Sequence, residues 1–408
     1  MQQQLIVIGG GASGFFCAVN AARMNPALKV LLLEKSNKLL SKVKISGGGR
    51  CNATHACFDI LELIKKYPRG KNFLKKSFHQ FFTKDTIDWF AERGVRLKTE
   101  EDGRMFPVTD DSQTIIDCLL KEADKYKVIV QLQTGVTSFQ KKENKFELQL
   151  HNGNIILADF ICVATGGFPK ANMFDWLMST GHTIATPVPS LFTFNILGNP
   201  ITSLMGVSVE RAIVKVAGTK LQEEGPLLIT HWGMSGPAIL RTSAWGAREL
   251  ADKNYHFTIL VNWIPSYTEP MLRDDWQAIR DRFGAQKLGS KNPFGLPSRL
   301  WLHILQESET DSDCRWSDLP SKQQNRLIKN LTAHEFSVKG KTTFKDEFVT
   351  AGGIMLSEID AQTMQSKKLS GLFFAGEVMD VDGITGGFNF QHAWTSGFIA
   401  AKAMASAY

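Results

Sequence analysis

Three glycines near the start of the chain are spaced to handle a diphosphate. Gly9, Gly11 and Gly14 take the G-x-G-x-x-G positions within LIVIGGGASGFFCAVNAARM. Gly9 permits a tight turn, Gly11 lets backbone amides approach a pyrophosphate, and Gly14 lets a helix pack closely on a strand. The diphosphate then rests on unpaired N–H groups at a helix N-terminus, where the dipole favours an anion. Glu34 ends the apolar run VLLLE, placed to accept hydrogen bonds from a ribose. A glycine triplet alone is a weak signal. Strand, helix, second strand and terminal acid in register turn it into a dinucleotide fingerprint. Ala12 and Ser13 complete the turn, and Lys35 follows the acid.

Two further glycine-rich stretches offer free amides. SGGGRCN places Gly47–Gly49 beside Arg50 and Cys51, a run that cannot be a helix interior. Near the other end, LFFAGEVMDVDGITGGFNFQHAW reads as a strand ending at Gly376-Glu377. Gly383, Gly386 and Gly387 then precede a helix expected from about Phe390. A strand at Phe160–Ala164 running into Thr165-Gly166-Gly167 returns the chain to the first sheet. The side chains able to move a proton near such a site are Cys51, His231 and His392. Arg50 next to Cys51 would favour a thiolate.

These elements need a scaffold, and the rest of the chain supplies one. With 408 residues there is room for two or three domains with sizeable cores. Hydrophobic residues at 43% and charged ones at 21% exclude a disordered chain. No apolar run reaches the length of a membrane span, and Met1 leads almost directly into the first strand, so a cytoplasmic protein is expected. The six cysteines show neither C-x-x-C nor metal-ligand spacing, which fits reduced thiols and no metal site. The net charge is +7, and KKYPRGKNFLKK concentrates Lys65, Lys66, Arg69, Lys71, Lys75 and Lys76 with no acid among them. Beside Tyr67 and Phe73, such a cluster suits a phosphate backbone.

The patterning divides the chain. Residues 58–95 read as helical, DGRMFP as a turn, and Asp111–Lys125 as an amphipathic helix. Four short alternating runs between Val128 and Ala158 read as an antiparallel meander. The predicted fold is α/β, with residues 1–189 and 345–408 building the dinucleotide domain from both chain ends. A β-rich insert at 190–268 and a small helical domain with a return strand at 269–344 follow from the change in text after Ser190. No second G-x-G-x-x-G lies in the middle block, so no separate nicotinamide domain is expected.

Taken together and in order, GGGASG, SGGGRCN, ATGG, THWGMSGPAIL, TAGGI and GLFFAGEVMDVDGITGGFNFQHAWTSG resemble the BaiN/RdsA (YhiN-like) flavoproteins, also described as aminoacetone-oxidase-like FAD-binding proteins. The resemblance covers essentially the whole chain. It implies a glutathione-reductase-type FAD domain with an inserted β-barrel-like domain and a small helical domain. It implies that Gly9, Gly11, Ser13 and Gly14 hold the FAD diphosphate and Glu34 the adenosine ribose, with the Val136 backbone beside the adenine. Gly49, Arg50 and Cys51 would lie near the flavin, Thr165 and Gly166 along the cofactor, and Gly376 and Glu377 by the ribityl chain. Gly387, Phe388 and Asn389 would aim helix-start amides at the pyrimidine edge, favouring the anionic reduced flavin.

The reactions open to such a site are reduction of uridine in ribosomal RNA to dihydrouridine, reduction of a small enone such as a bile acid intermediate, and oxidation of a small amine. NAD(P)H would dock transiently as electron donor. Reduction of an activated C=C bond needs a hydride at one carbon and a proton at the other. The basic segment favours RNA, since phosphate contacts dominate RNA affinity, and Trp232 and Trp263 are aromatics able to stack on a base. A flavin-bearing binding protein without turnover is the reading outside enzymology. The sequence leaves oligomeric state open.

Overall fold

In the computed structural model, the described residues are 2–342 and 349–407. The chain separates into two compact units, residues 1–190 with 344–408, and residues 191–343. The expected boundary at 344/345 lies outside the described residues.

The first unit is organised around a parallel sheet. In spatial order its strands are Leu372–Phe374, Phe160–Val163, Gln4–Ile8, Lys29–Leu33 and Ile129–Gln131. Leu5, Ile6 and Val7 are fully buried, as are Ile161, Cys162 and Val163 beside them, which is the near-continuous apolar text of a sheet covered on both faces. Leu5 stands against Phe160 on one side and against Val30 on the other. The N-terminal strand therefore sits centrally, and the C-terminal strand Leu372–Phe374 is reached only through Phe160–Val163.

The helices Ala12–Met24 and Phe388–Ala405 pack together on this sheet. Gly397 makes the approach close: a Cβ there would fall 2.7 Å from the Ser13 carbonyl oxygen. Beneath them Phe16 meets Trp89 and Trp394, with ring centroids 4.5 and 5.2 Å away. The buried indole N–H groups are satisfied, Trp89 donating to Asn20 Oδ1 at 3.0 Å and Trp394 to the Ala53 carbonyl at 2.8 Å.

Several local expectations are corrected. The stretch 58–95 is three short helices, Ile60–Ile64, Lys71–Phe78 and Thr83–Ala91, with Pro68 and Gly70 (φ +85°) breaking the first from the second. Arg104–Pro107, expected as a turn, is a strand between Thr54–His55 and Leu97–Thr99, holding Met105 and Phe106 in the core. The first run of the expected meander, Ile129–Gln131, instead extends the parallel sheet beside Lys29–Leu33. The other three runs do form the antiparallel meander Val136–Lys142, Lys145–Leu150 and Ile155–Ala158. The last helix begins at Phe388, two residues earlier than expected.

The second unit is an antiparallel barrel with helices. Its strand order runs His334–Lys339, His256–Asn262, Ser208–Val216, Gln222–Thr230, Gly233–Ser235, Thr193–Asn195 and Lys341–Thr342. The first and last of these are one stretch of chain separated only by Gly340 (φ +99°). Gly340 N–H donates to the Tyr255 carbonyl at 2.9 Å, and its own carbonyl accepts from Asn195 N–H at 3.2 Å. One bent strand thus serves both ends of the order and closes the sheet, removing its edges. A single apolar cluster runs from the barrel residues Val214 and Ile259 through Trp276, Trp301 and Trp316 of the helical part.

Candidate dinucleotide and substrate site

The glycine fingerprint sits where the first strand gives way to the first helix, and its three glycines meet different surroundings. A Cβ on Gly9 (φ +119°) would fall 2.4 Å from the Ala164 carbonyl oxygen, and one on Gly14 would fall 1.9 Å from that of Gly9. These two are forced by packing. Gly11, by contrast, has nothing within 4 Å of a Cβ, and as N-cap it leaves the first turn uncapped, with no acidic side chain there. Exposed amides and an open approach are what an incoming diphosphate needs.

Neighbouring loops complete this cradle. Glu34 accepts from Gly10 N–H and Ser36 N–H, each at 2.8 Å, so its carboxylate is fixed at the mouth of the turn. The chain leading to Val136 runs alongside, with Thr134 N–H donating to the Glu34 carbonyl at 2.8 Å. Lys35 is exposed, its ammonium 5.9 Å above the Phe168 ring. Thr165 and Gly166 follow the strand Phe160–Val163, and Gly166 (φ +75°) is also open around its Cβ position. Gly376 closes against Ser13, whose Oγ would lie 2.5 Å from an added Cβ. The Gly376 amide donates to Ser396 Oγ at 2.9 Å. Glu377 accepts from Thr350 N–H at 2.8 Å and pairs with Lys42 at 2.8 Å. Sequence reading missed Lys42 and Thr350, which have no motif of their own.

A second glycine-lined helix start lies at Gly387 (φ +93°). The Asn52 side-chain amide, turned to satisfy both neighbours, accepts from Gly387 N–H and donates to the Thr54 carbonyl at 2.9 Å each. Asn389 holds the preceding loop through both backbone groups of Gly383, at 2.8 and 2.9 Å. Tyr67 donates to the Phe388 carbonyl at 2.8 Å. His55, which carries no sequence signal, packs against Phe388 with ring centroids 4.6 Å apart, the planes tilted by 32°, and places Nδ1 3.0 Å from the Gly386 carbonyl. The first turn of this helix holds no acid and no side-chain cap. Gly48 and Gly49 leave the helical path and are likewise open around their Cβ positions.

Other predicted residues are placed differently from expectation. Arg50 turns away from Cys51: its guanidinium pairs with Glu100 and Asp110 and lies 4.0 Å from the Phe106 ring centre. Cys51 is fully buried, and burial pushes its thiol up to about 12, so the expected thiolate is corrected to a protonated thiol. His392 is buried, and desolvation holds it down to about 4, a neutral ring with Nε2 3.2 Å from the Gly376 carbonyl. His231 is exposed in the turn after Thr230, in the second unit, edge-on to Trp232. Trp263 is buried and donates to His334, which removes it as a stacking platform. Within the basic segment, Arg69 is withdrawn into an ion pair with fully buried Asp382, while Tyr67 and Phe73 belong to the core. Lys71, Lys75 and Lys76 remain exposed on one helix, Lys66 is half-buried, and Lys65 pairs with Glu62.

The HI0933-like protein Rossmann domain matches residues 3–403. The chain belongs to this family. It is 32% identical, over 98% of both chains, to a ribosomal RNA dihydrouridine synthase of Escherichia coli K12. It is 26% identical, again over 98% of both, to a 3-dehydro-bile acid delta(4,6)-reductase of Clostridium scindens. Among solved structures it resembles a 3-ketosteroid-delta4-(5alpha)-dehydrogenase of Rhodococcus jostii RHA1, with TM-score 0.51 and 12% identity over 98% of this chain and 97% of that one. At that identity the likeness is one of fold. Within the HI0933-like Rossmann fold, the cradle described here comes from both ends of the chain. Among the described residues no helix is long and apolar enough to cross a membrane, and no three His, Cys, Asp or Glu are grouped to hold a metal.

Proposed function

We propose that the chain is an FAD-dependent oxidoreductase that uses NAD(P)H as electron donor to saturate an activated C=C bond, the substrate being uridine in ribosomal RNA. The observation that carries the cofactor is the pair of uncapped helix starts, Gly11 and Gly387, set in one unit in which Gly11, Gly48, Gly49 and Gly166 are open around their Cβ positions. Gly9, Gly11, Ala12, Ser13 and Gly14 would hold the diphosphate, Glu34, Lys35 and Val136 the adenosine end, and Thr165, Gly166, Gly376 and Glu377 the middle. Gly49, Gly387, Phe388 and Asn389 would surround the ring, while Arg50 is held by Glu100 and Asp110 and Cys51 is sealed in the core. Bound there and reduced by NAD(P)H, the flavin would supply a hydride to one carbon of the double bond.

The chain's own task is to orient that ring, exclude water and deliver a proton to the other carbon. Cys51 and His392 are both sealed in the core. His231 is exposed, and we assign it the proton donor. The RNA reading is supported by the E. coli relative, by a 28% identical Haemophilus influenzae relative of the same name, and by the exposed Lys71, Lys75 and Lys76 face. A uridine would have to leave its stack to reach the ring, and such a substrate would be met in the cytoplasm. The C. scindens relative supports a small enone as the second reading.

Deleting the gene and measuring dihydrouridine in ribosomal RNA by mass spectrometry tests the substrate. Loss that returns on complementation supports RNA, and unchanged content overturns it in favour of the enone. Purified protein is expected to be yellow and to bleach with NADPH or NADH without oxygen; a colourless protein that refuses FAD ends the flavin reading.

A further inference from the structure

The 191–343 unit contains a groove of its own, far in sequence from the dinucleotide cradle. It holds about 1080 Å³, slightly more than ordinary ligand clefts, which run roughly 300–1000 Å³. Tyr267 and Phe294 present half-buried rings there, edge to face with centroids 6.2 Å apart. The loop carrying Phe294 is stiff. Pro293 and Pro297 restrict its backbone, while the Asn292 side chain donates to the Leu296 carbonyl at 2.7 Å and accepts from Phe294 N–H at 3.0 Å.

Two cations gather over a third ring. The Arg282 guanidinium is 5.1 Å from the Phe283 centroid and the Lys291 ammonium 4.8 Å. Among the described residues neither joins an ion pair, whereas Arg211, also in the lining, is held by Glu224 at 2.6 Å. Glu210 and Asp275 are the acids of the lining, both exposed to solvent. Half-buried rings interleaved with uncompensated cations are suited to unpaired bases and their phosphates. A small apolar enone would leave those charges without use, and a duplex would keep its base faces from the rings.

We propose that this groove is a second RNA subsite, gripping a single-stranded stretch of the substrate with bases on Tyr267 and Phe294 and phosphates on Arg282 and Lys291. The inference rests on the RNA reading above and deepens it: a polymer has a use for a subsite in addition to the redox ring, and a small molecule does not.

The test uses the FAD-loaded full chain with short oligouridylate. Arg282→Gln with Lys291→Gln should weaken binding roughly tenfold and lower the salt slope by about 1.4, about 0.7 for each single-strand phosphate contact. Phe294→Ala should weaken binding by about tenfold without changing that slope. Melting temperature and flavin bleaching by NAD(P)H should match wild type in the glutamine variant, whose two side chains are at the surface. Wild-type affinity and slope in both variants would overturn the groove, while loss of ribosomal dihydrouridine on gene deletion would still uphold the reaction. Wild-type protein with no affinity for oligouridylate would overturn the groove, and the RNA reading would fall with it only if deletion also left ribosomal dihydrouridine unchanged.

Discussion

Arg69 and Asp382, 313 positions apart, form a forked ion pair inside the first unit. Ser190 adds a third hydrogen bond to the same carboxylate, at 2.7 Å. Burial raises the Asp382 carboxyl and the Arg69 guanidinium opposes that rise. The pair ties the basic segment to the loop that opens the last helix. Arg69→Ala strands a fully buried carboxylate, and the expected loss is about 3–5 kcal/mol in urea unfolding. Arg69→Met with Asp382→Leu should recover most of it. A phosphate-contacting Arg69 would behave in the opposite way, leaving stability intact and weakening RNA binding alone.

The fingerprint glycines predict separable phenotypes. Gly14→Ala would drive a Cβ into the Gly9 carbonyl, so little folded protein is expected. Gly11 has φ −90° and free space, so Gly11→Ala should fold with a melting temperature near wild type. Its methyl would occupy the approach to the amides, and FAD affinity, read by fluorescence titration, should fall at least tenfold. Equal FAD affinity would place the diphosphate elsewhere.

The strand, turn and helix at each chain end were legible because their physics is local. A strand, a glycine turn and a helix are contiguous in Leu5–Met24, and the same holds from Leu372 to the last helix. Distant partners were not legible. Nothing around Arg50 announces that Glu100 and Asp110 will draw it from Cys51, and nothing in KKYPRGKNFLKK separates Arg69, held by Asp382, from the exposed Lys71. Ile129–Gln131 alternates like its meander neighbours, and only pairing with Lys29–Leu33 decides its sheet. Barrel closure at Gly340 likewise depends on Tyr255 and Asn195, brought in from far along the chain.

Cys51 should be chemically silent. With no exposed surface and its thiol up at about 12, almost none of it is thiolate at pH 8. Iodoacetamide should reach Cys57 and Cys314, which are partly exposed, well before Cys51, as peptide mapping would show. Cys51→Ala should keep the rate of flavin reduction within about twofold of wild type. A collapse of that rate with the flavin still bound would return Cys51 to the chemistry.

Of the four buried histidines, His334 and His392 are held furthest below the ordinary value and should weaken the fold in acid. His334 is pushed down to about 3, mainly by burial and further by His303, and its Nδ1 accepts the Trp263 indole N–H at 3.2 Å. His392 is held at about 4 by burial. In the unfolded chain each takes its proton near the ordinary value of about 6.5. The unfolded state therefore binds more protons as pH falls below that value, and the native state loses ground. Stability should be level above about pH 7 and decline between pH 6 and 4 by up to roughly 1.4 kcal/mol per pH unit for each histidine. His334→Asn keeps an acceptor for Trp263 but cannot titrate, so urea midpoints between pH 6 and 4 should fall less steeply in this variant. An unchanged slope would mean that His334 does not titrate on unfolding.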